Sequence, residues 1–243
     1  MLSESKLSHR IIDQDLDWLV EDGVKDHYSP DQPRDAEGQW SETGEDGGGK
    51  GAARELSGMT TSQIRDKADE LFQPPGSKGQ QYSVIETNAL QEYAEWGYAD
   101  INEGLRSNPP RVSKEAQTVI SAFSKSELKE SVVVHRGMIT DRFHGRDLVG
   151  AIIEDKGILS TSLLSGFAKA MAGAKLKGLQ KVNAERIVFR IEVQKGTPAI
   201  FMGERLSESP DEVEVLFSPG RKIVVTGEEK VGGLRVLTTR MVV

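Results

Sequence analysis

The chain has 243 residues, of which 37% are hydrophobic, with 25 glycines and no cysteine. This composition is typical of globular proteins. It excludes collagen-like, wholly disordered and disulfide-stapled chains, as well as cysteine nucleophiles and thiolate metal sites. The net charge is −7, but the first 50 residues, with 5 Lys and Arg against 13 Asp and Glu, account for −8, so the remaining 193 carry +1. Because no broad basic surface follows from these charges, we expect no specific binding to duplex nucleic acid.

The N-terminal part predicts no targeting signal and little compact structure. The sequence starts without a basic segment before an apolar run, so we predict no secretory signal, and no segment approaches the roughly 18 apolar residues of a membrane span. We therefore expect no contact with a membrane. Residues 29–59, rich in Pro, Gly, Asp and Glu, predict an acidic disordered linker, because so few apolar side chains cannot offset the entropy lost on ordering. Residues 1–28 predict a short helical segment from the periodic apolar residues Ile11, Ile12, Leu16, Leu19 and Val20.

Three helical patterns come next in the chain. Residues 60–72 predict a short helix with a Thr and Ser cap, and residues 82–106 predict a longer one in which apolar residues recur every four positions. Residues 113–122 predict a third helix. We expect one folded domain over residues 60–243, with its core in residues 80–243.

After residue 130 the sequence changes to short runs rich in Val and Ile, separated by Gly, Pro or charged turns, which are typical of strands. A helix is predicted among them at residues 165–180. Helices first and strands afterwards predict an α+β domain. The predicted strands cover residues 131–138, 157–164, 186–193, 199–202, 212–217, 222–225 and 234–243.

Arg136 ends the apolar run of the first predicted strand and is followed by Gly137. An arginine in this position is expected to be partly buried, where its guanidinium needs an anion, and phosphate matches the geometry of its donors. The glycine would let a ligand approach the backbone closely. The alternative interpretation is a strand-end arginine that pairs with a carboxylate of the protein.

Two further motifs carry polar side chains on predicted strands. Ser160, Thr161 and Ser162 end the second strand, where their hydroxyls would alternate across the strand or simply fill it. Glu212 and Glu214 would share one face of a strand, about 6.5–7 Å apart. Such a pair can divide the work, one carboxylate stabilising a developing cation while the other accepts a proton. The alternative is a solvated strand face.

Metal chemistry is not predicted. The four histidines do not stand at metal-ligand spacing, and no cysteine is present to help them. The serines also lack the Gly-x-Ser-x-Gly context of a hydrolase elbow. We therefore expect no metal site and no serine hydrolase.

The order Arg-Gly, Ser-Thr-Ser, Glu-x-Glu resembles the mono-ADP-ribosyltransferases, and in particular their arginine-modifying exoenzyme branch. The long helix adds to the resemblance, because Tyr93 and Tyr98 are five residues apart and are followed by Ile-Asn102 and Leu-Arg106. The resemblance covers about residues 80–243. It implies a fold of N-terminal helices followed by two packed, mainly antiparallel β-sheets around an NAD cleft.

The resemblance also implies an activity: transfer of ADP-ribose from NAD to an arginine of a target protein, with release of nicotinamide. Arg136 would hold the NAD diphosphate, and the backbone of Gly137 would hold the nicotinamide amide. Ser160 would orient Glu214, whose carboxylate would accept a hydrogen bond from the ribose 2′-hydroxyl and stabilise the developing cation. Glu212 would hold and deprotonate the incoming guanidinium. NAD would be a co-substrate, and no metal would be needed.

The remaining expected NAD contacts come from both halves of the domain. Thr161 and Ser162 would shape the pocket floor, and Phe167 would be the aromatic residue beside nicotinamide. Residues 203–211 would form the acceptor-recognition loop. The adenosine and phosphates would be contacted by Tyr93, Tyr98 and Asn102.

Residues 28–40 resemble a short motif of tailed-phage head and portal-associated proteins. This resemblance implies an effector or toxin that is packaged in a phage particle, delivered from the virion and active in the host cytoplasm. Two alternatives remain open at this point. One is an NAD glycohydrolase, in which water replaces the acceptor, and the other is a virion structural or interaction module that retains the fold without its chemistry.

Overall fold

The computed structural model describes residues 18–21, 53–56, 58–72, 82–173 and 183–242, and every structural statement below concerns these residues. From residue 58 onward helices come first, as predicted, and one further helix lies among the strands. They are α1 Thr61–Phe72, α2 Val84–Glu92, a π-helical turn Tyr93–Gly97, α3 Tyr98–Arg106, α4 Lys114–Ala122 and α5 Ser165–Gly173.

Local sequence signals explain where the helices begin. Ser83 and Glu86 form a capping box at the start of α2: the Ser83 hydroxyl accepts from the Glu86 N–H, and the Glu86 carboxylate accepts from the Ser83 N–H. Ser113 caps α4 in a similar way, through the N–H of Ala116. The helices predicted over 60–72, 82–106 and 113–122 are confirmed, the second as α2, the π-helical turn and α3 in succession. Of the helix predicted over 165–180, residues 165–173 form α5 and the rest lies outside the described residues.

The strands form one sheet of nine, in the order β1-β3-β8-β9-β5-β2-β4-β7-β6. All neighbouring pairs are antiparallel except β5 and β9. The strands are β1 Trp18–Glu21, β2 Val132–Thr140, β3 Ile152–Asp155, β4 Leu159–Ser162, β5 Glu185–Val193, β6 Ala199–Phe201, β7 Glu214–Phe217, β8 Arg221–Val231 and β9 Leu234–Met241.

The sheet has two parts that meet at a narrow seam. Strands β2 and β4 are paired only at His135 and Ser162, whereas β2 pairs with β5 along its whole length. The three strands β4, β7 and β6 therefore form one part, and the other six form the second. This architecture confirms the predicted α+β class with mainly antiparallel strands, and the two expected sheets are the two parts joined at the seam.

Three apolar clusters lie between the sheet and the helices in the described part of the chain. The larger cluster contains α1 residues and inward-facing residues of most strands, and a second packs α2, α3 and α4 on β6 and β7. A small third cluster joins α5 to β5. Helix α5 lies against β2 so closely that a Cβ atom on Gly137 would come within 1.7 Å of the Ala168 carbonyl oxygen. The glycine is therefore required for this packing, whereas the sequence suggested that its role is to admit a ligand.

Three parts of the chain differ from the sequence-based expectations. Trp18–Glu21 form strand β1 beside β3, where a helical segment was expected, and the rest of residues 1–28 lies outside the described part. Strand β3 was not predicted. Within the expected linker, Arg54 pairs with Val132 of β2 and Leu56 is buried in the larger cluster, so residues 53–56 pack on the domain. Residues 29–52 are not described.

No helix in the described ranges is long and apolar enough to cross a membrane.

Candidate functional site

A cleft opens beside the seam between β2 and β4. It is also bordered by β7, by α5 and by the helical segment from Tyr93 to Arg106. Glu214 lines this cleft, as do all nine residues that the sequence suggested for NAD binding. These nine are Tyr93, Tyr98, Asn102, Arg136, Gly137, Ser160, Thr161, Ser162 and Phe167. The structure thus brings together residues that are up to 121 positions apart in the sequence.

Arg136 projects from β2 with only 5% of its surface exposed. Its Nη1 donates a hydrogen bond to the backbone oxygen of Ser160, at 2.7 Å, and its Nη2 lies 3.9 Å from the Asp155 carboxylate. A guanidinium in so little water is stabilised by these acceptors and by any anion that enters the cleft. The position fits both interpretations raised by the sequence, because a carboxylate and the open cleft are both within reach.

Glu214 is the first residue of β7 and is buried beside β4. The antiparallel register pairs Ser162 with Glu214 and Ser160 with Leu216. The Ser160 hydroxyl donates a short hydrogen bond to the Glu214 carboxylate. A charge-assisted bond of this kind fixes the orientation of the carboxylate, and its partners are the two that the sequence suggested.

The other two residues of the Ser-Thr-Ser motif bond to backbone rather than to side chains. The Thr161 hydroxyl donates to the Val215 carbonyl at 2.9 Å, and the Ser162 hydroxyl donates to the Glu212 carbonyl at 2.6 Å. Ser162 also accepts from the Leu164 N–H at 2.9 Å. These bonds tie β4 to the segment that carries both glutamates, and they fix that segment at the cleft.

The prediction that Glu212 lies on a strand with Glu214 is wrong. Pro210–Glu212 form a 3-10 turn, and Val213 adopts the left-handed conformation, with φ 46° and ψ 49°, before β7 begins. Proline initiates the turn because its φ is fixed, and the left-handed residue breaks the alternation on which the prediction rested. Glu212 is buried but does not belong to the lining of the described cleft.

A positive φ at a β-branched residue is an outlier and costs on the order of 1–3 kcal/mol. Val213 is held there by tertiary contacts. Its side chain is fully buried in the larger cluster, and its carbonyl accepts from the Leu163 N–H at 3.1 Å. The bend therefore sets the direction of Glu212 relative to Glu214.

The helical side of the cleft is fixed by Asn102. Its side-chain amide donates to the Tyr93 hydroxyl at 3.1 Å, and its oxygen accepts from the Ile158 N–H at 2.7 Å. A Cβ atom on Gly157 would lie 2.6 Å from that oxygen, so the approach requires glycine. Tyr98 lies one turn away and is half-buried. Both tyrosines face the cleft from the π-helical turn and the start of α3.

Three titratable residues at or beside the cleft were given no role from the sequence. Arg106 lies at the end of α3, and Asp155 lies at the end of the unpredicted strand β3; the two form a buried ion pair. His135, adjacent to Arg136, also lines the cleft. Burial lowers the pKa of His135 to about 4, although the Glu55 carboxylate opposes this shift, so the ring is neutral at pH 7. Arg106 had a sequence signal in the Leu-Arg of the long helix, whereas Asp155 had none.

Phe167 lies on α5 and is half-buried at the cleft. The neighbouring Ala168 and Met171 also line the cleft. Helix α5 therefore supplies an apolar wall opposite the polar strands. Within the described ranges, no group of three or more His, Asp or Glu could hold a metal ion.

Comparison with solved structures shows relatives of the same fold. The chain is similar to the ADP-ribosyltransferase Vis of Vibrio splendidus in complex with agmatine, at 22% identity, covering 75% of this chain and 85% of that one, with a TM-score of 0.57. It is similar to the C3 exoenzyme of Clostridium limosum at 20% identity, covering 79% and 98%, with a TM-score of 0.60. It is also similar to C3stau2 from S. aureus with NAD, at 20% identity, covering 79% and 99%, with a TM-score of 0.59.

At these identities the structures show a common fold only. No curated protein matches the sequence. The family model described as ADP-ribosyltransferase exoenzyme, however, matches residues 60–238, which is well over half of the chain. The chain therefore belongs to the ADP-ribosyltransferase exoenzyme family.

Proposed function

We propose that the protein transfers ADP-ribose from NAD to the guanidinium of an arginine on a target protein and releases nicotinamide. One observation carries the proposal: the buried Glu214 carboxylate, oriented by Ser160, lines the same cleft as the buried Arg136. The two groups match two parts of NAD. The fixed carboxylate suits the ribose that becomes positive during the reaction, and the fixed cation suits the diphosphate.

Glu214 would act on the bond that breaks. When the bond between nicotinamide and ribose lengthens, positive charge develops on the ribose, and a fixed carboxylate beside it stabilises that charge. The stabilisation is larger in a site of low water content, and Glu214 is only 5% exposed. Ser160 keeps the carboxylate from turning away, so that no reorganisation is needed during the reaction.

Arg136 and the apolar wall of α5 would hold the substrate. The guanidinium offers two N–H groups to a diphosphate in a single plane, a geometry that lysine does not provide. Phe167 would pack against nicotinamide, while the hydroxyl of Tyr98 and the polar groups around Asn102 would contact the adenosine side. C3stau2, which shares this fold, has been crystallised with NAD.

Glu212 would select and activate the acceptor. A carboxylate recognises a guanidinium by paired hydrogen bonds and can accept its proton as the new bond forms. Glu212 ends the turn that leads into β7, two residues before Glu214, so the acceptor would be held next to the carboxylate that acts on NAD. The related structure of Vis contains agmatine, a small guanidinium compound, which supports an acceptor of this chemical class.

The first experiment uses the purified full chain with NAD and agmatine, followed by NAD and host lysate. We expect ADP-ribosyl agmatine by mass spectrometry and labelled protein from the lysate. Glu214→Gln should lower the rate by about 10²–10³-fold or more, as the loss of one transition-state contact does. Glu229→Gln, on the exposed face of β8, is the matched control and should retain the rate. An undiminished rate for Glu214→Gln would contradict the mechanism.

Glu212→Ala separates transfer from NAD hydrolysis. If the two glutamates have separate roles, transfer to agmatine should collapse while hydrolysis of NAD partly survives, since Glu214 still stabilises the developing cation. Equal loss of both rates would contradict this division. Nicotinamide release without any modified acceptor, even at high agmatine concentration, would favour the glycohydrolase alternative.

We also propose that the enzyme is carried in a phage particle and acts in the host cytoplasm. This proposal rests on the sequence of residues 28–40 alone, which lie outside the described residues. Mass spectrometry of purified particles from the source phage should detect the chain, and its absence from particles that contain other internal proteins would refute packaging. Absence of NAD binding in calorimetry would instead favour a structural module of the virion.

A further inference from the structure

Two buried guanidinium groups lie beside one buried carboxylate at the helical end of the cleft. Arg106 donates through Nε to Asp155 Oδ1 at 3.0 Å and through Nη2 to Oδ2 at 3.1 Å. Arg136 Nη2 lies 3.9 Å from the same Oδ2. The side chains of Arg106 and Asp155 are 2% and 0% exposed. Both arginines line the cleft, whereas the carboxylate lies behind them and does not.

The protein backbone holds Asp155 in turn. The Gly157 N–H donates to Asp155 Oδ1 at 2.9 Å, and the Asp155 carbonyl accepts from the Gly220 N–H at 2.8 Å. Gly157 also makes room for the pair, because a Cβ atom there would lie 2.8 Å from Arg106 Nε. The carboxylate is therefore fixed by the end of β3 and the turn before β4, independently of the two arginines.

Both arginines are placed where a diphosphate could reach them. They line the same cleft as the Glu214 carboxylate, whereas Asp155 does not line it and lies beside both arginines. Diphosphate oxygens accept charge-assisted hydrogen bonds from guanidinium N–H groups, so two adjacent guanidinium groups suit this part of NAD.

We propose that Asp155 is a positioning residue for NAD: it holds the guanidinium groups of Arg106 and Arg136 side by side, so that both face the diphosphate. This inference rests on the proposed function. It differs from a purely structural salt bridge between α3 and β3, since a structural pair would affect folding and leave ligand affinity unchanged. It also differs from simple charge balance, which predicts that loss of the Asp155 charge would strengthen the binding of an anion.

The test compares Asp155→Asn with a matched control elsewhere in the chain. The asparagine retains the shape and one acceptor oxygen but not the charge. Glu228→Gln is the control, because Glu228 forms the same two-bond pair with the buried Arg235, at 2.9 Å and 2.8 Å, and does not line the cleft. Isothermal calorimetry with NAD and with ADP-ribose gives the affinities, and thermal unfolding gives the stability.

We expect both variants to lower the melting temperature and Asp155→Asn alone to raise the Kd for NAD and for ADP-ribose, by about tenfold or more. KM for NAD should rise in parallel, with a much smaller change in kcat. An unchanged or lower Kd in Asp155→Asn would overturn this inference. The proposed function would still stand if the unmodified chain binds NAD. If the unmodified chain binds no NAD, both fall.

A second variant covers the case in which Asp155→Asn does not fold. Arg106→Lys keeps the positive charge and its attraction to Asp155 but loses the second N–H group that the side-by-side arrangement requires. We expect it to fold, to raise the Kd for ADP-ribose by at least about fivefold, and to leave the Kd for free nicotinamide unchanged. An ADP-ribose Kd equal to that of the unmodified chain would contradict the positioning role.

Discussion

Substitution of Gly137 by alanine should be among the most damaging single changes in the domain. The added Cβ atom would lie 1.7 Å from the Ala168 carbonyl oxygen, 2.7 Å from the Ala168 carbonyl carbon and 2.9 Å from the Ala172 nitrogen. All three are backbone atoms of α5, so no side chain can rotate away. Relief requires α5 and β2 to separate by more than about 1 Å, and overpacking of this kind costs about 1–3 kcal/mol or more.

A strand alanine regains up to about 1 kcal/mol of backbone entropy relative to glycine, which offsets part of the cost. We therefore expect a net loss of about 1–3 kcal/mol in the free energy of unfolding. For a domain of this size each kcal/mol lowers the melting temperature by about 2–4 °C, so the shift should be about 2–12 °C. Because α5 carries Phe167 and Met171 at the cleft, the transfer rate to agmatine should fall as well.

Gly166→Ala is the control on the same helix, since no atom lies within 4 Å of its added Cβ. A helical alanine there should be neutral or stabilise the protein by up to about 1 kcal/mol. Thermal unfolding and the agmatine assay on both variants give the comparison. If Gly137→Ala unfolded at the same temperature as the unmodified chain and kept its rate, the close packing of α5 on β2 would be refuted.

Three further predictions concern the stability of the domain. The pKa of His135 is about 4 in the folded chain and about 6.5 in the unfolded chain, so the stability present above pH 6.5 is lost as the pH falls toward 4. Denaturant unfolding should show a loss of about 1–2 kcal/mol between pH 7 and pH 5, and a smaller loss in His135→Gln. Burial raises the pKa of Glu86, but the hydrogen bonds from Lys125 and Ser83 outweigh this effect and lower the pKa to about 2. Glu86→Gln should therefore lower the free energy of unfolding by about 1–2 kcal/mol at pH 7 and by much less at pH 2.5. Ser162→Ala leaves two backbone groups beside β7 without their side-chain partner and should cost about 1–3 kcal/mol, with transfer to agmatine reduced more than NAD hydrolysis.

The helices could be predicted because their signals are local. The spacing of four in the long helix also bears on its irregular middle part. An ideal α-helix has 3.6 residues per turn, so apolar residues four apart drift around its surface. The π-helical turn at Tyr93–Gly97 absorbs part of this drift through wider hydrogen bonding, and it carries Tyr93 at the cleft.

The errors arose where long-range contacts override local preference. Val213 belongs to a run that alternates like a strand, yet its buried side chain and its bond to Leu163 hold it in a left-handed conformation. Asp155 stands in a short acidic segment that is typical of the surface, and it is buried because Arg106 comes to it from 49 positions away. No window of sequence contains both members of that pair.

The motif residues could be identified one by one, whereas their convergence depends on the order of the strands. Arg136 lies on β2, Ser160 on β4 and Glu214 on β7, which are successive neighbours in the sheet. Fully paired strands lie about 4.8 Å apart and leave no room for a ligand between them. Since β2 and β4 are paired only at His135 and Ser162, they are free to diverge on either side of that pair, and the cleft opens there. The single pair thus explains both how the two parts of the sheet stay in register and why the polar residues at their seam remain accessible to a substrate.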